Sequence, residues 1–401
     1  MKALKSMRLH IGIFGRTNVG KSSILNRITS QDVSIVSEIA GTTTDVVEKS
    51  MELLPVGPVT FLDTAGIDDD SDLGEKRIEK TLSVINRTDV GVIVCDYSGV
   101  DDYDQDLMRK FDELKIPYLV IVNKCDLMTD EMPSFTKGGR GNQDIPNIIY
   151  TSAVQDKNLV FKFKEALVKL LPDDYVNSPQ IVTDLIPPKS TVILVIPIDK
   201  EAPKGRIILP QVQTIRDLLD GECLSYVVKE SELALALENL KNPPSLVVTD
   251  SQAFKTVSEI VPENIPLTSF SILFARLKGD LDAFENGAKA IENLKDGDKV
   301  LILESCTHHA IDDDIGRVKI PNWLKKKTGK DLIIENYSGH DFPEIGEYSL
   351  VIHCGACMTN RREVLSRILI ANKKQVPITN YGIVISYCLG ILPRAMEIFK
   401  R

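Results

Sequence analysis

The stretch Gly15-Arg16-Thr17-Asn18-Val19-Gly20-Lys21-Ser22 limits what this chain can fold into more than any other. It follows the apolar run Leu9 to Phe14 and precedes Ser23-Ile24-Leu25, the order of a strand, a glycine-rich loop and a helix. Glycines in such a loop let the backbone curl until several N–H groups and the helix N-terminus face one phosphate. Gly15, Asn18, Val19, Gly20, Lys21, Ser22 and Ser23 are the expected phosphate-binding residues. Lys21 adds charge on the outer phosphates, and the Ser22 hydroxyl suits Mg2+.

At 401 residues the chain exceeds one ordinary core, so two or three domains are expected. Hydrophobic residues at 43% and charged residues at 26% mark it as globular, and a net charge of -9 argues against a nucleic-acid groove as its main working surface. No apolar run approaches a membrane span. Met1 to Phe14 has only a brief apolar run and no small-residue cleavage site, so a cytoplasmic location is expected. In a reducing compartment the seven cysteines read as core fillers or metal ligands rather than as a disulfide framework.

Up to about Leu171, apolar runs at Leu9-Phe14, Val59-Leu62, Gly91-Cys95, Tyr118-Val122 and Asn147-Tyr150 alternate with helical segments, which predicts a doubly wound α/β sheet. Each later motif falls at a strand's carboxyl end. Asp63-Thr64-Ala65-Gly66 offers a carboxylate for hydrated Mg2+ and, at Gly66, an amide for a terminal phosphate. Asn123-Lys124-Cys125-Asp126 follows the next but one strand, where the Asp126 carboxylate accepts from N1 and N2 of guanine, a pattern adenine lacks. Thr151-Ser152-Ala153 is placed for a contact to the base carbonyl. Cys95 and Cys125 read as packing residues.

These four motifs resemble the GTPase family over the whole of residues 1–171, and Gly41-Thr42-Thr43-Thr44-Asp45 is similar to switch I of its TrmE-Era-EngA branch. The resemblance implies GTP hydrolysis, with Lys21, Asp63 and Gly66 as catalytic residues and with Ser22, Thr43 and Asp63 around Mg2+. Asn18 matches an asparagine that holds K+ against the phosphates in potassium-activated members. Ile67 stands where Ras-like enzymes place a water-orienting glutamine, so water is oriented by other means.

Prolines at 172, 179, 187 and 188 mark a linker, and residues 180–266 read as a small α/β domain with no chemical motif. A domain that small gains by packing on a second copy, so dimerisation is its expected role.

Residues 267–401 hold four of the five histidines and four of the seven cysteines. The strand Lys299-Leu303 runs into Glu304-Ser305-Cys306-Thr307-His308-His309, and the strand Tyr348-Ile352 runs into His353-Cys354-Gly355-Ala356-Cys357. A crossover sheet brings such strand ends to one crevice. Asn360 to Glu363 read as a capping box, placing the Cys354-x-x-Cys357 pair beside a helix N-terminus that favours thiolates. Three thiolates suit an iron-sulfur cluster or zinc; isolated core thiols are the bland alternative. Glu304, His308 and His353 are candidates for a fourth ligand or for supporting hydrogen bonds. Cys388 reads as core.

Cys306-x-His308 followed at distance by His353-Cys354-x-x-Cys357, behind this type of GTPase domain, closely resembles the FeFe-hydrogenase maturation GTPases of the HydF family. The resemblance implies a P-loop GTPase domain (1–171), an α/β dimerisation domain (180–266) and an α/β domain binding a 4Fe-4S cluster (267–401). It implies a homodimeric scaffold that takes up a transient di-iron precursor made with radical-SAM maturases and delivers it to apo-hydrogenase, without nucleic acid or membrane. The rival is a tRNA-modification or ribosome-associated GTPase with a structural zinc. Hydrolysis is expected to be slow and faster in KCl than in NaCl; equal rates in the two salts would remove Asn18 from its assigned role.

Overall fold

The computed structural model describes residues 8–30, 37–39, 47–64, 81–128, 147–171, 180–198, 205, 207–305, 314–339, 342–357 and 359–400. The chain divides into two compact units, Met1–Ser178 and Pro179–Arg401.

In the first unit, β1 (Leu9–Phe14), β2 (Ser37–Ile39), β3 (Val47–Leu53), β4 (Gly57–Asp63), β5 (Val90–Cys95), β6 (Tyr118–Val122) and β7 (Ile148–Tyr150) form one sheet, ordered β2-β3-β4-β1-β5-β6-β7. The five strands from β4 to β7 in that order are parallel. Every residue of β1 and β5 is buried, which is why both, His10 apart, read as apolar runs. By contrast β3, Val-Glu-Lys-Ser-Met-Glu-Leu, pairs antiparallel with β4 and escapes a reading by hydrophobicity. It turns Met51 and Leu53 inward and Glu52 outward, the alternation of a strand wet on one face. The helix Leu159–Leu170 buries Leu159, Phe163 and Leu167, spaced four apart on one face.

The second unit carries two four-stranded parallel sheets. The first is ordered β11-β10-β8-β9, from β8 (Thr191–Val195), β9 (Leu224–Val228), β10 (Leu246–Thr249) and β11 (Leu267–Ser269). The second is ordered β13-β12-β14-β15, from β12 (Lys299–Glu304), β13 (Ile333–Ser338), β14 (Leu350–His353) and β15 (Ile378–Asn380). Strand β11 lies past residue 266 yet pairs with β10. The Asp217 carboxylate accepts the N–H groups of Ile181, Val182 and Thr183, which fastens the entry of the unit to the helix Leu209–Asp220.

The helix Phe270–Lys278 joins the two sheets into one body, with seven of its nine residues buried. Phe270, Leu273, Phe274 and Leu277 pack with Val192, Leu194, Leu246 and Val248 of the first sheet. Ile272 and Ala275 enter a larger core that also holds Val300 and Ile302 of β12 and Val351 of β14. At the other side, the helix Leu281–Lys289 lies so close to β15 that a Cβ on Gly287 would collide with the Ile378 carbonyl. The edge strand β9 keeps Leu224, Tyr226 and Val227 exposed. Among the described residues no helix is long and apolar enough to cross a membrane.

Candidate nucleotide site and candidate metal centre

The expected phosphate loop lies between β1 and the helix Lys21–Ser30. Gly15 and Gly20 adopt φ of 138° and 99°, and a Cβ would drive Gly15 into the Val94 carbonyl and Gly20 into the Asn123 amide. Lys21, 5% exposed, donates to the carbonyls of Gly15 at 2.7 Å and Arg16 at 3.0 Å, so its ammonium lies inside the loop. Ser22 and Ser23 are exposed at the start of the helix. Asp63 is buried at the end of β4, and Thr64 beside it donates to the Ile13 carbonyl at 2.7 Å, tying β4 to β1.

The base motif is wired to the same loop. Asn123 donates through Nδ2 to the Val19 carbonyl at 2.9 Å and accepts through Oδ1 from the Ala153 N–H at 2.9 Å. Lys124, at φ 61°, donates to the Asn18 carbonyl at 2.6 Å. Asp126 is exposed in the turn Cys125–Leu127, and Ser152 is buried. Gly15, Asn18, Val19, Gly20, Lys21, Asn123, Lys124 and Ala153 thus form one hydrogen-bonded or close-packed set. Thr43 and Gly66 lie outside the described residues.

Sequence reasoning missed what Arg16 does. Its Nε lies 3.1 Å from Asp101 and 3.7 Å from Asp104, and its Nη2 lies 3.7 Å from Asp96 and donates to the Gly99 carbonyl. Asp101 and Asp104 form the capping box of the helix Asp102–Leu114. Arg16 therefore ties the phosphate loop to the turn after β5. Asp104 is fully buried, and desolvation pushes its carboxyl from 3.8 up to about 7, with the neighbouring Asp101 charge adding to the rise and Arg16 opposing it.

In the second unit β12 and β14 are parallel neighbours with Leu303 beside His353, so the two cysteine-bearing strand ends emerge together. The Cys354 N–H donates to the Leu303 carbonyl at 2.8 Å, and the Ser305 N–H donates to Cys354 Sγ at 3.3 Å. Ser305 immediately precedes Cys306, which lies outside the described residues together with His308. Cys354 and Cys357 are half-buried, and among the described residues neither forms a disulfide. Among the described residues no group of three acidic, histidine or cysteine side chains is close enough to hold a metal. Between the two cysteines Ala356 takes φ 52°, the left-handed region that an alanine seldom enters.

Two buried cations surround this turn. Arg367, 2% exposed, pairs with the equally buried Glu363 at 2.7 Å and donates to Ser305 Oγ at 3.0 Å, the Gly339 carbonyl at 3.0 Å and His353 Nε2 at 2.8 Å. His353 is 1% exposed, and its Nδ1 lies 2.8 Å from the Cys354 carbonyl. Nδ1 is therefore the donor and Nε2 the acceptor. Burial, and then the Arg367 charge, pull the imidazole down to about 3, so the ring is neutral at any ordinary pH. Lys278 donates to the carbonyls of Ala356 at 2.6 Å, Thr359 at 2.9 Å and Cys357 at 3.4 Å. Burial pulls its ammonium down to about 8, against charge on Cys357, Cys354 and Glu363. Glu304 accepts from Ser338 Oγ at 3.0 Å and lies 3.5 Å from Arg317. Asn360 caps the helix Arg361–Lys373 by accepting from the Glu363 N–H, while Arg361 donates to the Leu277 carbonyl.

Residues 181–279 match the family model of the hydrogen maturase F dimerization domain, and residues 282–398 that of the hydrogen maturase F tetramerization domain, together more than half of the chain. The chain belongs to the hydrogen maturase F family. Residues 10–124 match the model described as 50S ribosome-binding GTPase, in keeping with the α/β P-loop sheet of the first unit. Curated relatives include the tRNA modification GTPase MnmE of Prochlorococcus marinus (strain NATL1A), 37% identical over 147 residues that make up 36% of this chain and 31% of the relative. GTPase Der of Kosmotoga olearia is 31% identical over 172 residues, 40% of this chain and 38% of the relative. The chain thus spans only about a third of the length of these relatives. Aquifex aeolicus Era is similar at 19% identity with a TM-score of 0.31, over 55% of this chain and 93% of Era.

The buried cations of the second unit also escaped the sequence. Lys278 ends an apolar helix, where a lysine normally reaches solvent. A signal for Arg367 existed: Val364, Ile368 and Ala371 flank it at helical spacing, which puts it on the buried face. In the first unit, Asp104 carries a sign for stability. Its raised value means the folded chain keeps a proton that the unfolded chain has released, so stability is fully present below 3.8 and falls as pH rises toward about 7. Asp104→Asn is expected to flatten that decline in urea unfolding, since the amide still accepts the capping hydrogen bond; an unchanged pH profile would show that Asp104 is not its source.

Proposed function

We propose that this chain is a GTP-hydrolysing maturation factor that carries a 4Fe-4S cluster on Cys306, Cys354 and Cys357, receives a di-iron precursor and hands it to apo-hydrogenase. One observation carries the reading: the Ser305 N–H meets Cys354 Sγ at 3.3 Å, so residues some fifty positions apart in sequence reach one crevice. The donor set fits the group. Two half-buried thiols three residues apart lie in a turn that receives an N–H bond to sulfur, with buried positive charge beside them. When bound, the cluster supplies iron with one position open to a further ligand.

The chain's own residues then have distinct tasks. His353 spends Nδ1 on the Cys354 carbonyl and Nε2 on Arg367, so it supports the turn rather than ligating iron. Glu304 and His308 remain the candidates for the open position. In the first unit, Lys21 and the loop amides stabilise phosphate charge, Asp63 and Gly66 respond to the terminal phosphate, and Ser22 and Thr43 hold Mg2+. Asn18 holds K+, and Asp126, Ser152 and Ala153 select guanine. We place the protein in the cytoplasm, with radical-SAM maturases and apo-hydrogenase as partners. The tRNA-modification relatives resemble the GTPase portion and leave the cysteine crevice unaccounted for.

The edge of the first sheet in the second unit supports a homodimer. Among the described strands β9 has no neighbour on one side, and it exposes Leu224, Tyr226 and Val227, with Leu219 close in sequence. An apolar edge of this kind pairs readily with a second copy.

Anaerobic purification or reconstitution tests the cluster. About four irons per chain, matching sulfide and a broad visible absorption are expected, with loss of most of the iron in Cys354→Ser and Cys306→Ser. Zinc in a colourless protein would overturn the reading in favour of a structural zinc site. For the dimer, Tyr226→Lys combined with Leu224→Lys is expected to halve the mass seen by light scattering, and an unchanged mass would move the interface elsewhere.

A further inference from the structure

Lys278 is the last residue of the helix Phe270–Lys278 and only 2% exposed, yet among the described residues it makes no ion pair. All three of its N–H donors go to neutral carbonyls, those of Ala356, Cys357 and Thr359. The other buried cation of the crevice, Arg367, is balanced by Glu363. Two features make the ammonium tolerable: it sits at the negative end of a helix and 5.9 Å from the Phe274 ring. Neither replaces the water stripped from the charge, and a neutral side chain would fill the same space at lower cost. The three carbonyls belong to the turn that bears Cys354 and Cys357, and the shortest bond goes to Ala356, the residue held at φ 52°.

We propose that Lys278 is the positioning residue of the cysteine turn: its ammonium locks the left-handed Ala356 carbonyl in place, and its charge is the built-in counterion of an anionic sulfur-ligated group on Cys354 and Cys357. The inference rests on the cluster reading for its second half and on geometry alone for its first. A cluster ligated by three thiolates is a net anion, and it becomes more anionic on reduction. A fixed positive charge a few ångströms behind the turn therefore favours both retention and the reduced form.

The test compares Lys278→Gln, which keeps two donors and loses the charge, Lys278→Arg, which keeps the charge, and Lys278→Met, which keeps neither, all in the full chain. After anaerobic reconstitution, Gln and Met are expected to shift the cluster's midpoint potential to more negative values and to release iron to a chelator about ten-fold faster. Arg is expected to hold the wild-type potential. In the apo chain, amide hydrogen exchange of residues 354–360 is expected to rise about ten-fold in Met, with β12 and β14 unchanged. GTP hydrolysis stays at the wild-type rate in every variant. A Gln variant with wild-type potential, iron release and exchange overturns the proposal, and that variant decides alone where Met does not fold. Wild-type protein that takes up no iron or sulfide sinks the cluster reading and the counterion half with it, while the exchange measurement still decides whether Lys278 holds the turn.

Discussion

The second unit depends on one helix being apolar on nearly every side. Phe270–Lys278 buries one stripe against β8 and β10 and another in the core shared with β12 and β14. An amphipathic helix covers one sheet; a helix wetted by neither side must lie between two layers. That single requirement fuses two four-stranded sheets into one body and sets its final residue against the cysteine turn. Displacing the helix would open both cores at once.

The common exit of β12 and β14 is a consequence of parallel pairing. Strands that run the same way end on the same side, so Ser305 after β12 and Cys354 after β14 lie side by side. The chain then fills the region behind the meeting point with charge of one predominant sign. Arg367 is neutralised by Glu363 and spends its remaining donors on Ser305, Gly339 and His353, holding three segments of backbone in mutual register. Among the described residues Lys278 has no acidic partner. In the first unit the same economy of elements appears at the nucleotide site, where Asn123 and Lys124 hold the loop of β1 from the end of β6.

Fold class and most strands were legible because buried parallel strands are largely continuous apolar runs; Leu9–Phe14 and Tyr118–Val122 are even bounded as read. The loss came where a strand has a wet face. Val47–Leu53 carries two glutamates and a lysine, and only its pairing with β4 makes it a strand. The phosphate loop of the GTPase portion was legible because phosphate chemistry fixes both type and spacing. The supporting cast was not, because Arg16, Lys278 and Arg367 are long side chains whose targets lie 62 or more positions away in sequence in several of their bonds. A helix-ending lysine and a glutamate-arginine pair four apart look like ordinary solvent-facing features until the fold closes over them.

Ala356 has one further implication. A left-handed alanine costs about 1 kcal/mol or more over its relaxed form, and glycine would remove most of that cost. Glycine would also let the loop collapse into many shapes. The methyl group restricts those shapes, and the bonds from Lys278 and Thr359 select one of them. On the reading proposed above, in which the turn takes up and gives away a metal group, a receptacle that keeps its outline between trips refills without having to be rebuilt.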